Sequence, residues 1–268
     1  MRTGLFVLTT ASVLLFSSCS EKKSEEPTVS GDTTQAQQSI RITPAEHGVD
    51  YPKATLQIVS PREGQVLENA SDSVFVVLNV SGMEIAKPTP GDTNIGLNYS
   101  KEGQHVHVIV DDKPYMANYK NGQPFNVGVL SPGMHVIRAF PSRSWHESVK
   151  VPAAFATRTF YVASKTGDAA PFDPKAPLLT YSRPKGTYAG DKRVLLDFFV
   201  SNVKLGEQDH KVSVTIDGQA VDTLTEWRPY IIEGLVKGEH TISLSLLDAK
   251  GQPVPGRFNQ PTGKITIE

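Results

Sequence analysis

From residue 56 to residue 162 the chain runs as short apolar stretches in which large or branched residues fall at every second position, separated by Gly, Pro, Asn and Asp. A period of two sends alternate side chains to opposite faces of a strand, and no stretch carries the wider spacing of an amphipathic helix. The pattern predicts strands near 56–60, 74–81, 105–110, 125–129, 135–140 and 157–162. The same arrangement then recurs. Val106, Val108, Val110 and Asp111 fall on Val212, Val214, Ile216 and Asp217; Gly133 and His135 fall on Gly238 and His240; Phe160 and Val162 fall on Ile265 and Ile267. One fold is used twice, which predicts an all-β chain of two tandem sandwiches, 51–163 and 175–268, joined by a polar linker at 164–174.

The repeat also assigns faces. His105, His107 and Ile109 share one side of their strand, and Val106, Val108 and Val110 share the other. Their counterparts are Lys211, Ser213 and Thr215 against Val212, Val214 and Ile216, so the valine side is expected to be core and the two histidines to look outward. In the later strand the same comparison turns His135 and His240 toward the core, each expected to be satisfied by backbone groups.

Composition changes the picture chiefly at the N-terminus. Arg2, an apolar run over 5–16 and small residues before Cys19 read as an export signal over 1–18, too short to span a bilayer comfortably. Residues 19–50 are rich in Glu, Lys, Ser, Thr and Gln, with too little apolar surface to offset ordering entropy, and are expected to be a flexible tether. Across the 268 residues, 27 Lys and Arg stand against 28 Asp and Glu, leaving no basic field for nucleic acid. The only cysteine is Cys19, so the folded part has no disulfide, thiolate ligand or cysteine nucleophile.

The LFSSC segment resembles a bacterial lipoprotein signal box, with Phe16 where a leucine is usual; this implies lipidation of Cys19 as the mature N-terminus. The following SEKKSEEP is similar to outer-membrane or surface-directed lipoproteins of Gram-negative bacteria. The resemblance implies a chain at the outer membrane or cell surface, on either side of it, touching membrane through its lipid alone. V-x-V-D, then L-x-x-G-x-H-x-I and a final strand, resembles bacterial immunoglobulin-like or fibronectin type III modules. The HxHV strand with L-x-P-G-x-H is also similar to exported bacterial domains that share this strand pair, a likeness that bears on fold alone.

In the strand order implied by that resemblance, the PSRSWHES loop arrives beside the start of the HVHV strand. Arg143, Trp145, His146 and Glu147 gather there, and the first copy carries an enlarged loop with Tyr99 at the same end. One reading is a non-enzymatic binding, adhesive or scaffolding module without a cofactor. Its rim of Arg143, Trp145, His146, Glu147 and Tyr99 would hold an envelope protein, a peptide or a glycan. The alternative is a zinc or copper site made by His105, His107 and His146, with Glu147 as an additional candidate. No serine elbow, phosphate-cradling glycine loop or zinc-protease helix motif is present, so an enzyme is not expected.

Overall fold

The computed structural model describes residues 39–46, 48–91, 96–165 and 172–268. The export signal, Cys19, most of the expected tether and part of the linker lie outside the described residues. In chain order the first strands are β1 (Arg41–Pro44), β2 (Thr55–Ser60), β3 (Val66–Leu67), β4 (Ser73–Ser81) and β5 (His105–Val110). They are followed by β6 (Met116–Asn118), β7 (Pro124–Val129), β8 (Gly133–Ser142) and β9 (Ala156–Val162). The second copy contributes β10 (Leu178–Arg183), β11 (Gly186–Tyr188), β12 (Val194–Ser201), β13 (Lys211–Ile216) and β14 (Gln219–Leu224), then β15 (Tyr230–Glu233), β16 (Gly238–Leu247) and β17 (Thr262–Ile267).

These strands form two β-sandwiches of the same topology. In the first, sheet β2-β4-β7 lies over sheet β3-β9-β8-β5-β6; in the second, β10-β12-β15 lies over β11-β17-β16-β13-β14. Each pair of sheets encloses one core. Ile58, Val76 and Leu78 meet Val106, Val108, Ile137 and Phe160 in the first, and Leu196, Phe198 and Ile232 meet Val214, Ile242, Leu244 and Ile265 in the second. Alternation along the strands therefore builds an all-β fold of tandem immunoglobulin-like sandwiches. The valine side of β5 faces core as expected.

Two expectations are corrected. Arg41–Pro44, inside the stretch read as flexible tether, is a strand that pairs antiparallel with β15 and extends the second sandwich by an edge. Composition understates its order because its main-chain groups pair with an otherwise open sheet edge and its few apolar residues, Ile42 and the adjoining Ile40, pack against the second core. The second correction concerns β5, whose six residues are all buried, whereas its counterpart β13 alternates. His105 and His107 do sit opposite the valines, but each is 0 % exposed. The face expected to meet solvent is covered by the second sandwich: Ile109, Tyr115 and Phe140 cluster with Phe199, and Val136 clusters with Leu178 and Phe258.

Candidate metal centre

His105 and His107 lie two residues apart on β5, so both rings leave the same face, and antiparallel pairing sets them beside Ser142 and Phe140 of β8. The third ring comes from the turn that follows β8. There the His146 N–H donates to the Arg143 carbonyl at 2.9 Å and the Arg143 N–H to the Glu147 carbonyl at 2.8 Å, folding the loop back on itself. His146 occupies the left-handed region at φ 69°, a conformation that costs a residue with a Cβ on the order of 1–3 kcal/mol. That turn carries its ring onto the pair. His146 Nδ1 lies 3.0 Å from His105 Nε2, which lies 3.1 Å from His107 Nε2, and the three rings each bring one nitrogen within 4.8 Å of the others.

The outer nitrogen of His105 fixes its tautomer. His105 Nδ1 donates to the Gly103 carbonyl at 2.9 Å, so the neutral ring presents a lone pair at Nε2. His107 Nδ1 is 3.1 Å from the Ser182 hydroxyl of the second sandwich. Burial drives the His105 pKa down to about 4, with Arg183 adding to the effect, and the Gly103 contact only partly opposes it. Burial likewise holds His107 and His146 well below the usual histidine value, joined by the charges of Arg183 and Lys185. Three neutral imidazoles thus converge, and the single lone pair of His105 faces two other ring nitrogens. A cation with nitrogen bonds of about 2.0–2.1 Å in tetrahedral array places its ligands roughly 3.3–3.4 Å apart, close to the two spacings observed. The Gly103 and Ser182 contacts are of the kind that orient metal-binding histidines from behind.

Tyr115 completes the wall. Its ring stacks on His107 with centroids 3.5 Å apart and planes 10° from parallel, and its hydroxyl is 3.3 Å from His146 Nδ1. Burial raises its phenol above the ordinary value, with Arg183 pulling the other way. Tyr119 packs at 4.9 Å from His105, but its hydroxyl is 2.7 Å from the Ser100 hydroxyl.

The residues expected to form a recognition rim have a different place. Arg143 and Glu147 are each 1 % exposed and Trp145 is 6 % exposed. Arg143 donates to the Val49 and Ser148 carbonyls and lies 3.1 Å from Glu147, whose other oxygen accepts from the Trp145 indole at 2.8 Å. Trp145 itself packs with Leu97, Leu195 and Ile231, and Tyr99 lies half-buried against them. These four side chains brace the loop that delivers His146; they do not present a surface to a partner. Glu147 stays with Arg143 and Trp145, outside the cluster of three histidines. His135 sits apart, bonded to Asp111 and the Ser131 carbonyl, on the core face as expected.

Sequence reading therefore found the three histidines but not Ser182, Arg183 or Lys185 around them. One signal was available. The second face of the first copy carries Ile109, Val136 and Phe140 where the second copy carries Thr215, Thr241 and Ser245, an apolar face that asks for a cover.

No protein-family model and no curated protein sequence matches the chain. Among solved structures it is similar to the fibronectin(III)-like modules of Clostridium thermocellum CbhA, at 14% identity over 80% of this chain and 94% of that one, with a TM-score of 0.28. It is also similar to the Bacteroides ovatus mixed-linkage glucan utilization locus protein SGBP-B in complex with a mixed-linkage heptasaccharide, at 13% identity over 80% of this chain and 47% of that one (TM-score 0.24). A third likeness is to dimeric latent PorU from Porphyromonas gingivalis, at 12% identity over 91% and 22% of the two chains (TM-score 0.25).

Proposed function

We propose that this chain is an exported metal-binding protein that holds one zinc or copper ion through His105 Nε2, His107 Nε2 and His146 Nδ1, at the junction of two immunoglobulin-like sandwiches. The observation that carries the reading is the approach of three histidine ring nitrogens at 3.0 and 3.1 Å, with His105 and His107 fully buried. Burial opposes charging any of them, so each ring keeps one lone pair, and that of His105 is held at Nε2 by the contact of its Nδ1 with the Gly103 carbonyl. The backbone strain at His146 is consistent with this, because a left-handed histidine persists only where something gains from its position. Two ligands on a strand and one on a braced turn form a rigid set, suited to retaining an ion as a structural or carrier site. The lipid anchor at Cys19, and with it a place at the outer membrane or cell surface, belongs to the same proposal and is supported by the signal segment alone.

Calorimetric titration of the mature protein with zinc and with copper(II) tests the reading. A one-to-one complex is expected, and His107→Ala or His146→Ala is expected to weaken it by more than about 100-fold, beyond the 10–100-fold typical of an outer-shell partner. Uptake of neither metal, or uptake indifferent to both substitutions, would end the proposal.

A further inference from the structure

Among the described residues five large apolar side chains are exposed, and three of them, Val59, Phe75 and Val129, stand on the outer side of one sheet, β2-β4-β7. Antiparallel pairing holds them together. Ser73, two residues from Phe75 on the central strand, pairs with Val129, and the bulge at Val59 lies against Val77. The repeat gives this face a counterpart. Val76 pairs with Phe125 as Leu196 pairs with Tyr230, and Ser60 pairs with Val77 as Arg183 pairs with Asp197. Val59, Phe75, Val77 and Asn79 therefore stand where the second sandwich has Ser182, Leu195, Asp197 and Phe199. All four of those residues meet the first sandwich. Ser182 lies 3.1 Å from His107, Leu195 packs with Trp145, Asp197 pairs with Lys150 at 2.6 Å, and Phe199 stacks on Phe155 at 4.7 Å. In the second copy this face docks a neighbour. In the first it keeps apolar residues, with Phe75 51% and Val129 57% exposed.

We infer that two copies of the chain associate through this face, sheet against sheet about a two-fold axis that passes beside Phe75. Three features select that occupant. β2, β4 and β7 contain no ionisable residue, so an axis that sets every group near it against its own image brings no like-charge repulsion. A head-to-tail contact of the kind that joins the two sandwiches needs a free, apolar five-stranded sheet. That of the first sandwich is already covered, and that of the second turns Ser213, Thr215, Thr241 and Ser243 outward. The open sheet edge is equally unsuited to growth by strand pairing. β7 begins at Pro124, is bulged beside Asn126, and gives its Gly128 N–H to the Asn126 side chain, devices that keep an edge from pairing. The face itself sets the strength of the contact. Three strands about 4.8 Å apart and roughly 20 Å long offer on the order of 300 Å². That is less than the roughly 800 Å² per partner of a stable interface, so the dimer is weak and reversible, with the Phe75 ring as its largest apolar contribution.

The experiment is sedimentation velocity on the mature chain carrying Cys19→Ser, which removes the proposed lipid and the one thiol as other sources of association. A chelator keeps metal from bridging copies. A reversible monomer–dimer equilibrium is expected between about 10 μM and 1 mM. Phe75→Glu and Phe75→Lys are each expected to weaken it by more than about 10-fold, and an equimolar mixture of the two to restore it. Val236→Glu, at an exposed apolar residue of the second sandwich, should leave it unchanged. Val129→Glu is a second variant on the same face, and melting temperatures identify the variants that keep the fold. A monomer throughout that range, or a dimer indifferent to both Phe75→Glu and Val129→Glu, overturns the inference. Association that grows past the dimer, or Phe75 variants that stay apart on mixing, overturns the two-fold arrangement.

Discussion

Asp111 and Asp217 occupy equivalent places in the two copies and do the same work there. Each adopts a left-handed backbone, at φ 53° and 51°, that aspartate tolerates better than most residues. One carboxylate oxygen of each accepts from the backbone N–H of Val136 or Thr241, and the other lies 2.6 Å from Nδ1 of His135 or His240. The far ring nitrogen of each histidine donates to a carbonyl, of Ser131 or Val236. Both ring nitrogens thus have acceptors, which favours imidazolium. Burial works against that charge, yet the carboxylate and carbonyl contacts raise both histidines above their ordinary pKa. Burial also works against the two carboxylates, and their hydrogen bonds lower both below the ordinary value. The histidine contribution to stability is therefore full below about pH 6.5 and is lost as pH rises through the raised folded value. The carboxylate contribution is full above about pH 4 and is lost as pH falls through the lowered folded value. Thermal stability is expected to peak between these limits and to decline on the alkaline side. Asp111→Asn should cost roughly 1–3 kcal/mol at pH 6 and flatten that decline; a variant whose melting temperature follows pH as steeply as the wild type would contradict the pairing.

At the scale of the element, β5 differs from its repeat β13 in having a second face to bury. Its entry is fixed by Gly103, which has φ 90°, turns the chain under the Lys87 carbonyl and itself receives the His105 ring hydrogen bond. A Cβ there would lie 2.3 Å from that carbonyl, so the backbone must move. Gly103→Ala is expected to destabilise by more than about 1 kcal/mol and, by shifting the head of β5, to weaken the zinc binding proposed above. Chemical denaturation with calorimetry on the same sample checks both; unaltered metal affinity in a destabilised variant would show that the strand entry does not position the ligands.

At the scale of the whole molecule, the two sandwiches are tied by polar contacts as well as by the apolar clusters between them. Lys150 reaches Asp197 at 2.6 Å with side chains 6 % and 0 % exposed, and the Ser148 N–H and hydroxyl donate to the same carboxylate. Arg257 of the second sandwich lies 3.3 Å from Asp111 of the first, and Arg138 of the first lies over Phe258 of the second. Removing one member of a buried pair strands the other, so Asp197→Ala is expected to cost about 3–5 kcal/mol, and Lys150→Met with Asp197→Leu much less. Denaturant midpoints of the single and double variants decide this; equal losses in both would mean the charge pair is not what is stranded. By itself the sequence determined the repeat, the all-β class, the valine core of β5 and the inward turn of His135 and His240, because alternation and turn residues are local and register is set by which face is apolar. It also brought His105, His107 and His146 to one end of the first sandwich. Only the tertiary structure decided what covers their face, that the order of Arg41–Pro44 comes from an open edge of the second sandwich, and that Arg143, Trp145, Glu147 and Tyr99 brace a loop. A periodic pattern tells which residues share a side; it holds no information on the distant surface that comes to lie against that side, and here that surface converts two outward histidines into part of a closed centre.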